Sequence, residues 1–330
     1  MTTTLLNTMR YILIIDEVSS ASIYKPVTYN EFIEPSDNVS LLLITNHASE
    51  EDKTRCKEVI TINTPTTNGL LEIHAFELHR KYGIDTIYTK QEDLILRASY
   101  LRKALCIKGK MTQKTLHNVW IYSGMQPTAA LLFRDKEIMK RHLAERGIKT
   151  PPFERIYSPA DVLTFTERHG FPIIIKPTLG SASAGITVLK SSVDCHKYLE
   201  SDFYDRIDEK GKVMDYSGDL IIEAFVDGIM YHVNGCFQNN QLVKCWPFQY
   251  LETNLGFTQG KIYGNVSFKP SDAKYQKLYD FTLAVLNNLP CPESLVFHLE
   301  LFEVGQDFLL CEIAARRPGG LKVPKRVYYI

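Results

Sequence analysis

The sequence predicts an α/β protein of two or three folded units, and three observations support this. Continuously apolar runs alternate with helical patterns in the first third of the chain. In the rest of the chain, short strand patterns flank a loop of small residues, and a strand–turn–strand pattern follows near the end. The length of 330 residues is about twice that of a typical domain, and 45% of the residues are hydrophobic, which is enough to fill more than one core.

The balance of charge and the composition exclude several classes of partner. The chain carries 38 Lys+Arg and 38 Asp+Glu, so its formal net charge is zero, and neither a nucleic acid nor an acidic membrane is expected to bind. The longest apolar runs fall far short of the ~18 residues that a membrane span needs. The seven cysteines are odd in number and have no CxxC spacing, which predicts reduced thiols and a cytoplasmic protein.

The first third of the chain predicts a doubly wound α/β domain. Residues 11–15 and 41–44 are continuously apolar, as in buried parallel strands. The spacing of apolar residues predicts helices over 70–81 and 92–105, with a short strand over 85–88 between them. No GxGxxG motif follows the first strand, so a dinucleotide site is not expected.

The middle of the chain contains two lysines at the ends of predicted elements, one at the start of a helix and one at the end of a strand. Asp135 is a suitable N-cap for a helix that begins with Lys136 and stops near Gly147. Residues 171–176 form a short apolar strand that ends with Lys176. We expect a boundary between units after the helix, where two prolines follow.

The loop over residues 179–185 consists of small residues and leads into a second strand over 186–189. Its backbone N–H groups could close around an anion, for which phosphate is the natural candidate. The loop is not a Walker A motif, because Ile186 stands where that motif requires lysine. It is not a kinase loop either, because Lys176 precedes the glycines. An ordinary β-hairpin with a flexible loop remains the alternative interpretation.

Two carboxylates are predicted to face each other near the end of the chain. A hairpin that turns at Gln306 places Glu300 and Glu312 six residues from the turn, and directly opposed carboxylates need a positive charge between them. Magnesium, with phosphate oxygens completing its coordination, would supply that charge. Arg316 and Arg317 follow closely and could hold a phosphoryl oxygen. A solvated outer face of the hairpin remains the alternative.

Taken together, these motifs resemble the ATP-grasp superfamily, and within it the carboxylate–amine ligases related to biotin carboxylase and D-alanine:D-alanine ligase. The resemblance extends over roughly residues 9–320, and the motifs occur in the order that is typical of that family. They are Arg134-Asp-Lys136 with residues 147–151, Phe171-Pro-Ile-Ile-Ile-Lys-Pro177 with the loop to Gly185, Glu223-Ala-Phe-Val-Asp-Gly228, and His298-Leu-Glu300 with Glu312-Ile-Ala-Ala-Arg316 and Gly319-Gly320.

The resemblance implies an ATP-grasp fold of three units. An N-terminal doubly wound α/β (pre-ATP-grasp) domain would cover residues 1–130, and a central lid subdomain with the phosphate loop would cover 131–225. A C-terminal α+β subdomain over 226–330 would bind metal and nucleotide. Only ten residues follow Gly320, so we expect this last subdomain to be truncated.

The resemblance also implies ATP and Mg²⁺ as cofactors, with Mn²⁺ as an alternative metal. The catalytic residues would be Lys176 and Arg316, and the metal ligands would be Glu300 and Glu312. His232 would replace the glutamate that commonly binds the ribose in this family. The residues expected to contact the nucleotide are Lys136, Lys176, Gly180, Ser181, Ala182, Ser183, Gly185, Glu223, Ala224, Phe225, Val226 and His232.

The activity that the resemblance implies is the joining of a small carboxylate, for which an amino acid is a candidate, to an amine. ATP would convert the carboxylate to an acyl phosphate, with release of ADP and phosphate. The expected partners are therefore small-molecule carboxylates and amines, and a homodimer is left open. An alternative is supported by the short C-terminus and by two departures from the family pattern. Met230 stands at the position of the ribose-binding glutamate, and Ala314 stands at the position of a metal-binding asparagine. In that alternative the chain is a catalytically weak or inactive ATP-binding regulatory protein of the same fold.

Overall fold

The computed structural model describes residues 9–18, 38–89, 91–107, 125–181, 183–200, 206–207, 213–214, 219–253, 256 and 264–317. Ala182 and the predicted motif Gly319–Gly320 lie outside these residues. No helix within the described ranges is long and apolar enough to span a membrane. All seven cysteines lie in the described residues, and no disulfide bond joins any two of them.

The first sheet is parallel and has the strand order β3-β2-β1-β4. Its central strands, β1 (Arg10–Ile15) and β2 (Val39–Thr45), are the two apolar runs predicted from the sequence, and they pair in parallel. The predicted helix over 92–105 is correct from Ile95 onward, but its first three residues form a 3-10 turn. The remaining elements here are α1 (Glu50–Arg55), β3 (Cys56–Thr61), α2 (Leu70–Tyr82), β4 (Ile84–Tyr88), α3 (Ile95–Ala104) and α4 (Pro127–Leu131).

The second sheet is antiparallel, with the order β5-β10-β6-β7. One face packs on helices through apolar residues that include Phe165, Ile173, Ile175 and Ile222. Because side chains alternate along a strand, the polar residues next to these isoleucines lie on the opposite face. The elements of this part are α5 (Lys136–Ala144), β5 (Phe153–Ile156), α6 (Pro159–His169), β6 (Ile173–Pro177), β7 (Thr187–Leu189), α7 (Ser192–Glu200), β8 (Arg206–Ile207), β9 (Val213–Met214) and β10 (Leu220–Ala224).

The third sheet is also antiparallel, with the order β13-β12-β11-β14-β15. One face belongs to the largest core and contains Tyr231, Val233 and Phe297, together with residues of the long helix α8. The other face carries polar residues of β11 and β14. The elements are β11 (Ile229–Gln238), β12 (Gln241–Tyr250), β13 (Asn265–Ser267), α8 (Ala273–Asn287), β14 (Ser294–Val304) and β15 (Asp307–Ala314).

Gly235 in the centre of this sheet has no room for a side chain. A Cβ atom there would lie 2.4 Å from the carbonyl oxygen of Lys244 and 2.6 Å from the ring of Phe297. We therefore expect Gly235→Ala to lower the free energy of unfolding by about 1–3 kcal/mol, measured by urea denaturation. Gly69→Ala is the matched control, since nothing lies within 4 Å of its Cβ position. Equal effects of the two substitutions would contradict the prediction.

Candidate active site

The predicted site residues come from separate elements of the fold. Lys136 is the first residue of α5, and the cap is the predicted one, because Asp135 accepts hydrogen bonds from the backbone of Glu137 and Ile138. Lys176 lies in β6, and the strand–loop–strand pattern that follows it is confirmed, because β6 and β7 pair antiparallel. The other predicted positions are Glu223 in β10, His232 in β11, Glu300 in β14, Glu312 in β15 and Arg316 just after β15.

Two buried lysines share the carboxylate of Glu223. Lys176 Nζ lies 3.0 Å from Glu223 Oε2, and Lys140 Nζ, one helical turn after Lys136, lies 2.9 Å from Glu223 Oε1. The register of the sheet explains the first contact. Ile221 pairs with Lys176 and Glu223 pairs two residues further along, so both charged groups fall on the face away from α6 and α7. Lys140 was missed by the sequence analysis, although its spacing of four from Lys136 puts both on one helix face.

The pKa values of this group follow from burial and mutual charge. Burial alone would raise the pKa of Glu223, but the two lysines outweigh it and lower that pKa to about 2. Burial lowers the pKa of Lys176, yet the charge of Glu223 more than compensates, and the net shift is upward. For Lys140, burial and the like charge of Lys176 together lower the pKa despite Glu223. All three charges are thus coupled within one buried cluster.

Lys136 connects the loop of small residues to the carboxylate pair. Its Nζ donates to the carbonyl oxygen of Gly180 at 2.5 Å and lies 3.1 Å from Glu312 Oε2. Its backbone N–H donates to the carbonyl oxygen of Thr178 at 3.0 Å. Within the loop, Ser183 and Gly185 have positive φ angles of 58° and 73°. The start of α5 therefore holds the beginning of the loop next to Glu312.

The predicted pairing of Glu300 with Glu312 is confirmed by the register of β14 and β15. Glu300 Oε1 accepts a hydrogen bond of 2.7 Å from the hydroxyl group of Tyr250. Glu312 is neutralised by Lys136. No group of three or more His, Cys, Asp or Glu side chains suited to a metal occurs in the described part of the chain. Glu300 and Glu312 could hold a magnesium ion only with further oxygen ligands, such as those of phosphate.

A chain of buried polar groups runs across the same face of the third sheet to Glu300. His232 Nε2 donates to Asn265 Oδ1 at 3.2 Å, and Asn234 Nδ2 donates to His232 Nδ1 at 3.2 Å. His298 Nδ1 in turn donates to Asn234 Oδ1 at 2.7 Å, and His298 Nε2 lies 3.1 Å from Glu300 Oε1. Burial and the neighbouring His298 lower the pKa of His232 to about 4, so this imidazole is neutral near pH 7. Through His298, this network fixes the orientation of the Glu300 carboxylate.

Arg316 is held by a carboxylate of the first unit that the sequence analysis did not identify. Its Nε donates to Glu92 Oε2, and Arg134 Nη1 lies 2.5 Å from Glu92 Oε1. Arg134 Nη2 also donates to the carbonyl oxygen of Leu179 at 2.6 Å, next to the loop. Burial would raise the pKa of Glu92, but Arg316 and Arg134 outweigh it and lower that pKa. The carboxylate of Glu92 therefore links the turn before α3 to Arg134, just before α5, and to Arg316, just after β15.

The end of β10 and the residues after it carry the backbone groups that the sequence predicts for adenine. The N–H groups of Ala224 and Phe225 donate to the carbonyl oxygens of Pro152 and Pro172, at 3.0 and 3.1 Å. Among the described residues the Val226 N–H makes no hydrogen bond to another backbone group. Recognition of an adenine edge here would therefore use the Ala224 carbonyl and the Val226 N–H.

Buried polar atoms without a hydrogen-bond partner concentrate around this cluster. In the described residues they are Arg134 Nη1, Lys140 Nζ, Arg155 Nε, Thr178 Oγ1 and Glu223 Oε1. Two of the five, on Arg134 and Lys140, are cationic atoms that contact carboxylates without hydrogen-bond geometry. Three of the five atoms belong to arginine or lysine side chains, so the surplus of donors around this cluster would suit a ligand with anionic oxygens.

These features define a class of protein, in which two antiparallel sheets carry a phosphate-type loop, clustered lysines and a pair of carboxylates. Residues 169–325 match the family model of the ATP-grasp domain. This stretch is therefore similar to an ATP-grasp domain, in agreement with the resemblance found in the sequence, and the predicted α/β fold is confirmed by the solved structures described below.

Relatives and solved structures agree with this assignment. The D-alanine–D-alanine ligase A of Bacillus cereus is 27% identical over 157 residues, which is 45% of this chain and 48% of that protein. The chain thus spans about half the length of such relatives. The L-amino acid ligase from Bacillus licheniformis superimposes with a TM-score of 0.66 at 12% identity, covering 93% of this chain and 67% of that one. The N5-carboxyaminoimidazole synthetase from Staphylococcus aureus, complexed with ADP, gives a TM-score of 0.64 at 15% identity, with 95% and 72% covered.

Proposed function

We propose that this protein is an ATP-dependent ligase that activates a small carboxylate and transfers it to an amine, with release of ADP and phosphate. The observation that carries the proposal is the convergence of Lys136 on both the loop and Glu312, a carboxylate whose charge also raises the pKa values of Lys176 and Arg316. These groups supply the positive charge and the hydrogen-bond donors that a transferring phosphoryl group requires. No protein nucleophile is needed for this chemistry.

In this proposal the side chains act by positioning and by electrostatics. Mg²⁺ held by Glu300 and Glu312 would neutralise phosphate charge. Lys136 would exchange the Gly180 carbonyl for a phosphate oxygen, and Lys176 would approach the phosphates from the second sheet. Arg316, kept in place by Glu92, would stabilise charge on the transferred group. The loop over 179–185 would exclude water that could hydrolyse the acyl phosphate.

The substrate class that we propose is an amino acid as the carboxylate. The names of the relatives support this, since they include ligases of D-alanine and of L-amino acids. Adenine would bind between the second and third sheets, through the backbone of Ala224 and Val226. The polar face with His232 and Asn234 would lie below the ribose and the phosphates.

The test is a mass-spectrometric screen for condensation products with pooled amino acids, ATP and Mg²⁺. We expect release of ADP and phosphate that depends on an added carboxylate. AMP and pyrophosphate as products would contradict the acyl-phosphate route. Binding of ATP, measured by calorimetry, without turnover on any substrate pool would instead favour the ATP-binding regulatory protein.

A further inference from the structure

The cluster of Lys140, Glu223 and Lys176 contains one more lysine than its carboxylate needs. Lys140 is fully buried, with a side-chain exposure of 0%, and Glu223 and Lys176 are 5% and 8% exposed. Glu223 contacts one lysine with each of its oxygens. Either lysine alone would neutralise it, so the cluster carries a net charge of +1 in a buried place.

Stability does not explain the second lysine. Taking an ammonium group out of water is costly, and an apolar side chain of similar size in the place of a buried charge is often neutral or stabilising. The contact that offsets this cost is the ion pair with Glu223 Oε1 at 2.9 Å, and Lys176 already neutralises that carboxylate. The Lys140 side chain also has no exposed surface, so its ammonium group is not available to a ligand that enters from solvent.

Lys176 differs from Lys140 in exposure, because 8% of its side chain is accessible and none of the Lys140 side chain is. It also lies at the end of β6, next to the loop over 179–185, whereas Lys140 lies in the second turn of α5. Lys176 is therefore the lysine that can turn from Glu223 toward a ligand. Its departure would leave Glu223 as a buried, unpaired carboxylate if no other cation were present, and such a group is strongly unfavourable.

We propose that Lys140 is a positioning residue, the permanent counter-ion of Glu223, which allows Lys176 to exchange this carboxylate for a phosphate oxygen of the nucleotide. The inference rests on the proposed function, because it requires the nucleotide to bind here. Lys140 keeps Glu223 neutralised in both states, so that the exchange of Lys176 creates no unpaired buried charge. Without Lys140, Lys176 is held by Glu223 and is withdrawn from the nucleotide.

The test is a double-mutant cycle on ADP affinity, measured by calorimetry with MgADP. Lys140→Met should weaken ADP binding about 10- to 100-fold, which lies within the couplings measured between residues of one ion-pair network. Adding Glu223→Gln in the same chain should restore most of this loss, because the neutral amide no longer retains Lys176. Lys149→Met is the matched control, since Lys149 is 59% exposed and pairs with Asp307 at the surface.

The outcomes separate the inference from the proposed function. If the wild-type protein does not bind ADP, the proposed function is overturned and the inference with it. If the wild type binds ADP and Lys140→Met binds equally well, only the inference is overturned. A loss that Glu223→Gln does not rescue would indicate a structural role for Lys140 and would also overturn it. If circular dichroism shows that Lys140→Met folds poorly, Lys140→Gln takes its place, because its amide can still donate to Glu223. The expected loss of ADP affinity is then about 10-fold, and Glu223→Gln should again restore most of it.

Discussion

Replacing Glu312 with glutamine is expected to slow the ATP-dependent release of ADP by about 100- to 1,000-fold, which is the typical cost of losing one preorganised electrostatic contact. Glu312 is directly opposite Glu300 and is the carboxylate that Lys136 approaches at 3.1 Å. The neutral amide would remove half of the negative charge that is available to a divalent cation. It would also release Lys136 from its present ion pair.

A direct measurement of the metal separates these effects. Titration of Mn²⁺ in the presence of ADP, followed by electron paramagnetic resonance, should show an affinity about 10- to 100-fold weaker for Glu312→Gln. Glu293→Gln, on an exposed position next to β14, is the control and should bind Mn²⁺ like the wild type. Unchanged Mn²⁺ affinity in the Glu312 variant would remove this carboxylate from the metal site.

The pairing of Glu300 with Glu312 was predicted correctly from the sequence, but the β-bulge that produces it was not. The count of residues assumes a turn centred on Gln306, and it predicts the correct partners. In the structure the turn lies one half-residue earlier, because Val304 pairs with Asp307. A regular hairpin would then place Glu300 opposite Cys311. A β-bulge next to Glu300 shifts the register by one residue and restores the pair.

The elements that were predicted are those with a strong local signal. The apolar strands, the Asp135 cap and the hairpin all depend on residues close together in the chain. The strand Cys56–Thr61 was missed because it lies at the edge of its sheet and is mostly half-exposed, which weakens its apolar pattern.

The parts of the site that were missed depend on contacts between distant segments. Glu92 and Arg316 are 224 residues apart in the chain, and no local pattern connects them. Lys140 could have been identified from its helical spacing to Lys136, but not its pairing with Glu223, which requires α5 to pack against β10. Spacing rules find the residues on one element, whereas the ion pairs that organise this site join several.

Replacing Glu92 with glutamine is expected to lower the free energy of unfolding by about 3 kcal/mol at pH 7, the typical cost of breaking a buried ion pair. Two arginines would lose their shared carboxylate, because Arg134 and Arg316 are only 4% and 16% exposed. The effect should depend on pH in a defined direction. The pKa of Glu92 is lowered in the folded state, so its stabilisation is complete above its unfolded-state value of about 4.3 and is lost as the pH falls through the folded value.

Urea denaturation from pH 7 down to about pH 3 measures this dependence. The stabilities of the wild type and of Glu92→Gln should differ most at neutral pH and converge in acid, where the wild-type carboxyl group becomes protonated and is then no more charged than the amide. Glu154→Gln is the matched control. It removes an ion pair with Arg168 whose side chains are 35% and 54% exposed, and it should leave the unfolding free energy nearly unchanged at every pH. A constant difference between wild type and Glu92→Gln across the pH range would mean that shape and packing, and not the charge of Glu92, hold Arg134 and Arg316 together.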